Sequence, residues 1–218
     1  MIQNTPHLEI APVTGSAQSE LLDLYVSLFH DREPLTKLIG LGRERMRSLA
    51  ESMHGRKPQS ENLCWMARDA ALENRPVAFV VCDDPTLPGA ETLPDNLTDA
   101  EQETVAVVGG FLSEIRRPLP DLVAWEPGVC MHVAALGVAP GYEGQGLATR
   151  LLQTALGQAR LRGFRHVFAE CTGPASRMCH EKCGFACVHS VSADTFAYQG
   201  VFPFSGNDLV VDLMLRKL

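Results

Sequence analysis

The segment LGVAPGYEGQGLATRLL, residues 136–152, limits the possible folds of this 218-residue chain more than any other stretch. Gly141, Gly144 and Gly146 lie between an apolar run that predicts a buried strand and an apolar stripe at helical spacing. Glycine loses more conformational freedom on folding than any other residue, so a cluster of three indicates a requirement of the backbone path or of a bound group. Unpaired amides at the start of the helix would favour an anion such as phosphate, and a plain strand-to-helix turn is the alternative.

Three kinds of phosphate-binding loop can be compared with this segment. A P-loop needs Lys and then Ser or Thr after its last glycine, whereas Leu147 and Ala148 follow here. A dinucleotide-binding loop fits the letters GQGLAT better, with Thr149 at its third glycine and Glu170 placed to hold a ribose. Only one helix and two strands follow Glu170, too few for a doubly wound sheet. An NAD-binding oxidoreductase is therefore the less favoured alternative.

The rest of the chain predicts one α/β domain over residues 1–218. Apolar spacing predicts an N-terminal strand, helices over 16–30 and 33–55 with a break near Gly40, and then a hairpin of two strands. The segment 83–96 is rich in Pro, Gly and acidic residues and predicts a loop. A capping-box spacing of Thr98 and Glu101 then predicts a helix, and a strand leads into the glycine loop and its helix. Three strands and a short helix complete the chain.

Composition and charge exclude several classes of partner. The net charge is −7 and no dense Lys/Arg run is present, which argues against nucleic acid or an anionic membrane surface. No apolar stretch approaches the roughly twenty residues of a membrane helix, and the first residues do not predict a signal peptide. The seven cysteines fit reduced thiols better than a disulfide framework. We therefore expect a cytoplasmic protein, either a monomer or a homodimer.

The letters EGQGLA resemble the acetyl-CoA loop of the GCN5-related N-acetyltransferases (GNAT superfamily). That loop reads Arg or Gln, two residues, Gly, one residue, then Gly or Ala; Gly146 and Ala148 match it, and Glu143 replaces the usual Arg or Gln. The later letters HEKCGF are similar to the family's YEKLGF, so the resemblance covers residues 130–187. It implies an α/β fold with a mixed, largely antiparallel sheet flanked by helices.

The same resemblance implies acetyl-CoA as co-substrate. The amides of residues 144–149 would bind its pyrophosphate, and the backbone of residues 136–138 would pair with its pantetheine arm. Glu143 removes a cationic partner for phosphate, which is expected to weaken cofactor binding but to leave the amide cradle. The implied cofactor-binding residues are Leu136, Gly137, Val138, Glu143, Gly144, Gln145, Gly146, Leu147, Ala148 and Thr149.

Two further stretches are similar to the insect-type arylalkylamine (dopamine) N-acetyltransferases: LFHDREPLTKLIG at residues 28–40 and the tail from FAYQGVFPF to DLMLRKL. This resemblance implies N-acetylation of a small primary amine, such as an arylalkylamine, by direct transfer in a ternary complex. An alkylammonium has no lone pair, so a base or a water relay must first remove a proton. A non-catalytic acyl-CoA-binding sensor module is the other reading of the same motifs.

Two titratable residues are candidates for handling that proton. By analogy with the matching glutamate of the insect-type enzymes, Glu33 is the expected base; otherwise it is a favourable charge at a helix start beside Pro34. His132 lies on the strand before the glycine loop, where the vertebrate serotonin N-acetyltransferase branch also carries histidine. It is either a proton relay or a histidine satisfied within the core.

Two residues further along the chain are candidates near the leaving thiolate. His180 stands where many superfamily members have a tyrosine that protonates the thiolate, and an imidazolium could serve instead. Thr172 and Ser176 match two hydroxyl residues, four apart, of the insect-type enzymes. Ser176 is therefore a candidate catalytic residue, with a plain helix cap as the alternative.

The cysteines and histidines of residues 179–189 do not predict a metal site. Cys179 and Cys183 have four-residue helical spacing, but Cys187 follows Gly184 in a predicted strand. No C-x₂-C pair is present, so no metal ligands are assigned.

Overall fold

The computed structural model describes residues 7–54, 63–87 and 96–218. Within these ranges the strands are β1 (Leu8–Pro12), β2 (Cys64–Asp69), β3 (Arg75–Asp83), β4 (Cys130–Val138), β5 (His166–Cys171), β6 (Ala186–Ser192) and β7 (Val210–Lys217). They form one sheet in the order β1-β2-β3-β4-β5-β7-β6.

Helices pack on both faces of this sheet. They are α1 (Ala17–Arg32), α2 (Pro34–Ile39), α3 (Arg43–His54), α4 (Asp99–Arg116), α5 (Leu119–Leu122), α6 (Leu147–Leu161) and α7 (Pro174–Lys182), with a short 3₁₀ turn at Ala70–Leu72. The predicted break near Gly40 is confirmed, because Gly40 ends α2 in the left-handed conformation. The capping box of Thr98 and Glu101 is present at the start of α4.

The sheet is mixed but largely antiparallel, as expected. β1 to β4 are antiparallel neighbours, β4 and β5 are parallel, and β7 runs antiparallel to both β5 and β6. A doubly wound sheet has parallel strands throughout its nucleotide-binding half, so the dinucleotide-binding alternative is wrong for this chain.

β4 and β5 separate soon after they pair. Their paired residues are Cys130 with His166, Met131 with Val167 and His132 with Phe168. Beyond His132, β4 continues to Val138 against β3 alone. Among the described strands none pairs with the other edge of β4 over residues 133–138, so the two strands form a fork.

The helices that frame the fork are held by buried apolar side chains. α6 covers β2, β3 and β4 with Leu151, Leu152 and Ala155, all fully buried. α1 lies close to β4, because a Cβ added to Gly137 would come within 2.9 Å of Phe79 and 3.1 Å of Leu28. The glycine at this position therefore allows α1 and the sheet to approach each other beside the fork.

Some sequence predictions fall outside the described residues. The expected helix end at Gly55 and the centre of the loop over 83–96, residues 88–95, belong to this group. Within the described ranges no helix is both long and apolar enough to cross a bilayer.

Candidate active site

The fork opens into a cavity of about 780 Å³. Its walls come from α1, α2 and α3 on one side and from β4, the glycine loop and α7 on the other. All four predicted catalytic residues line it: Glu33, His132, Ser176 and His180. So do the predicted cofactor-binding residues except Gln145, whose side-chain amide donates to the carbonyl of Gly141 at 3.1 Å.

The glycine loop follows a backbone path that suits glycine. Gly141, Gly144 and Gly146 have φ of 86°, 75° and 76°, a region that other residues rarely enter. A Cβ on Gly141 or Gly144 would meet no atom within 4 Å, so their positive φ is the constraint that this structure shows. Gly146 precedes α6 without any side-chain cap, which leaves first-turn amides available to an external acceptor.

The loop glutamate is paired with an arginine from another element. Glu143 accepts the guanidinium of Arg32, the last residue of α1, at 2.7 Å and the backbone N–H of Gly141 at 2.8 Å. Arg32 also donates to the carbonyl of Val138 at 3.4 Å. The loop sequence has no cation of its own, but the folded chain places the Arg32 guanidinium beside the loop.

Glu33 lies at the junction between α1 and α2. Its carboxylate accepts the backbone N–H groups of Leu35 at 3.0 Å and Thr36 at 2.5 Å, so it caps α2. The structural role considered from the sequence is therefore real, and the same side chain also lines the cavity. A base role for Glu33 stays a prediction.

His132 is held at the fork by carboxylates on both ring nitrogens. Nδ1 lies 3.1 Å from Asp83 and Nε2 lies 2.8 Å from Glu170, while the ring stacks on Phe168 with centroids 4.6 Å apart. Arg116 donates to the other oxygen of Glu170. These groups form a buried network of alternating charge at the floor of the cavity.

The network favours the protonated form of His132. Burial alone would lower its pKa, but Glu170 and Asp83 outweigh burial and raise the pKa above the ordinary value. Burial likewise favours neutral Glu170, yet His132 and Arg116 hold the pKa of Glu170 at about 2. A protonated ring with both N–H groups donating has no lone pair, so His132 in this state cannot accept a proton from an amine.

His180 is buried and neutral. Its Nδ1 donates to the carbonyl of Ser176 at 2.9 Å, and burial lowers the pKa of the ring below its ordinary value. Nε2 is buried with no hydrogen-bond partner among the described residues, and the ring meets Phe185 edge to face. The expected imidazolium acid is therefore disfavoured here by desolvation.

Ser176 does not cap α7. Gly173 occupies the cap position, and the Ser176 hydroxyl instead donates to the sulfur of Cys171 at 3.2 Å. The same sulfur lies 3.3 Å from Nδ1 of His180. Ser176 thus remains on the cavity wall, held through its carbonyl by His180.

One part of the cavity lining is apolar. This part is formed by side chains of α2, α3 and the turn that joins them, and the principal ones are Leu35, Ile39, Leu41, Met46, Leu49 and Met53. Among the described residues no group of three or more His, Cys, Asp or Glu side chains is arranged to hold a metal ion.

Comparison with known proteins agrees with this architecture. Residues 25–185 match the sequence model of the acetyltransferase (GNAT) family, more than half of the chain. The chain belongs to this family. As a GNAT member it is an N-acetyltransferase, and the family generally uses acetyl-CoA.

Solved structures share the GNAT fold at low sequence identity. The C-terminal condensation domain of Ebony, solved with beta-alanyl-dopamine, is similar at TM-score 0.81 and 15% identity, covering 97% of this chain and 99% of that chain. Arylalkylamine N-acetyltransferase 2 from Aedes aegypti gives TM-score 0.71 and 15% identity, covering 96% and 98%. The Drosophila melanogaster polyamine N-acetyltransferase that forms N-acetylagmatine gives TM-score 0.69 and 18% identity, covering 97% and 100%.

The GNAT motif did not reveal several residues of the site. Asp83, Glu170 and Arg116 surround His132, and Arg32 pairs with Glu143. Acidic residues at the ends of two predicted strands were the available signal for Asp83 and Glu170. No local signal joins Arg32 to a residue more than a hundred positions away.

Proposed function

We propose that this GNAT protein transfers the acetyl group of acetyl-CoA to a small primary amine, such as an arylalkylamine, by direct transfer in a ternary complex. The observation that carries the proposal is one cavity whose lining includes the glycine loop, the fork and the apolar side chains of α2 and α3, here called the apolar chamber. One space that can hold both reactants supports direct attack, because it places the two reactants side by side.

The described residues fit acetyl-CoA, which supplies the acetyl thioester. The amides of Leu147, Ala148 and Thr149, at the uncapped start of α6, would bind the pyrophosphate. The open edge of β4 at residues 136–138 would hydrogen-bond the extended pantetheine arm, as an added strand does.

The acceptor end of the cavity supports an amine with an apolar body. The chamber lined by Leu35, Met46 and Met53 would bury such a body, whereas a second charge there would lose its hydration. Glu33 lies on the same wall as Leu35, where its carboxylate can attract the substrate ammonium.

Two protons leave the amine nitrogen in this proposal. Glu33 takes the first from the ammonium, directly or through water, and the freed nitrogen then forms the C–N bond as the thioester C–S bond breaks. Ser176 carries the second: once its hydroxyl turns from Cys171, it donates to the departing thiolate and recovers a proton from the acylated nitrogen, so that CoA leaves as the thiol. His180 positions Ser176 through the carbonyl of that residue. His132 holds β4 to β5 instead of relaying the proton.

Binding and turnover test the overall proposal. Acetyl-CoA at about a hundred times its Kd should stabilise the fold by about 2.7 kcal/mol and raise the thermal midpoint, whereas NAD should not. In a thiol-release assay, 2-phenylethylamine should exceed 1,4-diaminobutane by at least about tenfold in kcat/KM, because the diamine carries a second charge into the chamber. A shift with NAD alone would overturn the cofactor assignment, and a preference for the diamine would overturn the acceptor assignment.

Two substitutions separate the capping role of Glu33 from its catalytic role. Glu33→Ser keeps a good helix cap but removes the carboxylate, whereas Glu33→Ala removes both. If Glu33 is the base, both variants should lose about a hundredfold or more in kcat, and only Glu33→Ala should also lose about 1 kcal/mol of stability. A fully active Glu33→Ser enzyme would show that Glu33 is a cap alone.

A further inference from the structure

The ion pair between α1 and the glycine loop is placed at the mouth of the cofactor end. Arg32 and Glu143 both line the cavity and both are about half-exposed, at 46% and 47% of their side-chain area. One guanidinium nitrogen contacts the Glu143 carboxylate at 2.7 Å, and the other lies 3.4 Å from the carbonyl of Val138. The guanidinium thus bridges the end of β4 and the loop that follows it.

The glutamate creates an electrostatic problem for an anion at this loop. The Arg32 hydrogen bond and nearby backbone N–H groups lower the pKa of Glu143 below its ordinary value, so the carboxylate is charged at neutral pH. Between Gly141 and Thr149 the chain contains no Lys or Arg. With its own glutamate uncompensated, the loop would present a negative charge to any phosphate that approached its amides.

Arg32 has the chemistry to resolve this problem. A guanidinium presents planar N–H pairs that match phosphate oxygens, and it stays charged at all physiological pH values. Glu143 remains bonded to the N–H of Gly141 through its second oxygen, so Arg32 can turn from the carboxylate without leaving Glu143 unpartnered.

We propose that Arg32 is the cation of the cofactor pyrophosphate site, supplied by α1 in place of the missing loop residue and held beside the loop by Glu143. The assignment rests on the proposed use of acetyl-CoA. It makes Glu143 a competitor for Arg32 as well as its anchor. It also links the phosphate site to the acceptor wall, because Arg32 directly precedes Glu33.

Direct binding measurements by calorimetry test the proposal without turnover. The ligands are acetyl-CoA, dephospho-CoA, which keeps the pyrophosphate, and pantetheine, which has no phosphate. Arg32→Met should weaken the first two equally, by about tenfold, and should leave pantetheine unchanged. Arg43→Met is the matched control, since Arg43 is also a half-exposed arginine paired to a carboxylate, at 2.6 Å from Asp31, but does not line the cavity.

Two further variants give effects of opposite sign. Glu143→Gln should tighten acetyl-CoA binding several-fold, because Arg32 no longer has a competing carboxylate. The exchange variant Arg32→Glu/Glu143→Arg should bind far better than Arg32→Glu alone, since it restores a cation at the loop. Melting temperatures of all variants check that the fold is intact.

The outcomes distinguish this proposal from the broader one. If the wild-type protein binds acetyl-CoA and Arg32→Met binds it equally well, the Arg32 assignment is overturned and the proposed function stands. If Arg32→Met weakens pantetheine as strongly as acetyl-CoA, Arg32 does not act through phosphate and the assignment also fails. If the wild-type protein binds neither acetyl-CoA nor dephospho-CoA, the proposed function fails and the assignment fails with it.

Discussion

Individual side chains at this site are defined by neighbours that are distant in sequence, and His132 is the clearest case. Burial alone would lower its pKa, but Glu170 and Asp83 outweigh burial and raise the pKa above 6.5, which favours the protonated ring. We expect an NMR titration of the ring to give a midpoint above 6.5, and Glu170→Gln to lower that midpoint by removing one of the two charges.

A second histidine provides the internal control for that titration. Burial, together with Lys217 and Arg165, lowers the pKa of His166 below its ordinary value. The titration midpoint of His166 should therefore lie below 6.5 in both the wild type and Glu170→Gln. If the His132 midpoint were the same with and without the Glu170 charge, the network would not set its protonation.

Cys179 in α7 and Cys171 at the end of β5 also differ sharply in pKa. The neighbouring Cys183 side chain is the main cause that lowers the pKa of Cys179 to about 7, whereas burial raises the pKa of Cys171 to about 12. Since the thiolate is the reactive form, iodoacetamide should label Cys179 well before Cys171, with a rate that rises through about pH 7.

Peptide mass spectrometry after timed labelling measures both rates. Cys183→Ser retains a hydroxyl donor and should preserve the reactivity of Cys179. Cys183→Ala removes the donor and should move the pH midpoint of Cys179 labelling upward. Equal labelling of Cys171 and Cys179 at pH 7 would contradict the assignment.

At the scale of elements, Gly137 sets how closely α1 can approach the sheet. In Gly137→Ala the new Cβ would lie 2.9 Å from the fully buried ring of Phe79, and either the ring or α1 must move. We expect a loss of about 1–3 kcal/mol in the free energy of unfolding, as for other overpacked cores. Urea unfolding measures the change.

Gly109 in α4 is the matched control. A Cβ there meets nothing within 4 Å, so Gly109→Ala should be neutral or should stabilise the helix by about 0.5–1 kcal/mol. Adding Phe79→Leu to Gly137→Ala should recover part of the loss. Equal stability of Gly137→Ala and the wild type would show that the close contact is not limiting.

Most elements could be predicted from the sequence because their signals are local. The Thr98–Glu101 capping box, the glycine loop and the apolar stripe of α6 each lie within a few residues. The side-chain networks could not be predicted in this way. His132 meets Asp83 only because of the register between β3 and β4, and Arg32 meets Glu143 only because α1 crosses the end of β4.

At the scale of the whole molecule, the sheet consists of two antiparallel parts joined at the fork. Only three residue pairs connect β4 to β5, so the open edge at 133–138 lacks strand partners among the described residues. In hydrogen exchange, acetyl-CoA should slow the outward-facing amides of 133–138 and the first amides of α6 more than those of β7. Uniform protection across the sheet would instead indicate general stabilisation without strand-like pairing.

The fork also has a consequence for the life of the protein in a cell. If acetyl-CoA pairs with the open edge of β4 as proposed, it binds the folded form alone and lowers the population of opened forms, so opening of the sheet depends on the supply of acetyl-CoA. Proteases act on opened forms, so starvation for the acyl donor would shorten the half-life of the enzyme as well as slow its reaction. The amount of the enzyme and its activity would then fall together, because both depend on the acyl donor bound at the fork between β4 and β5.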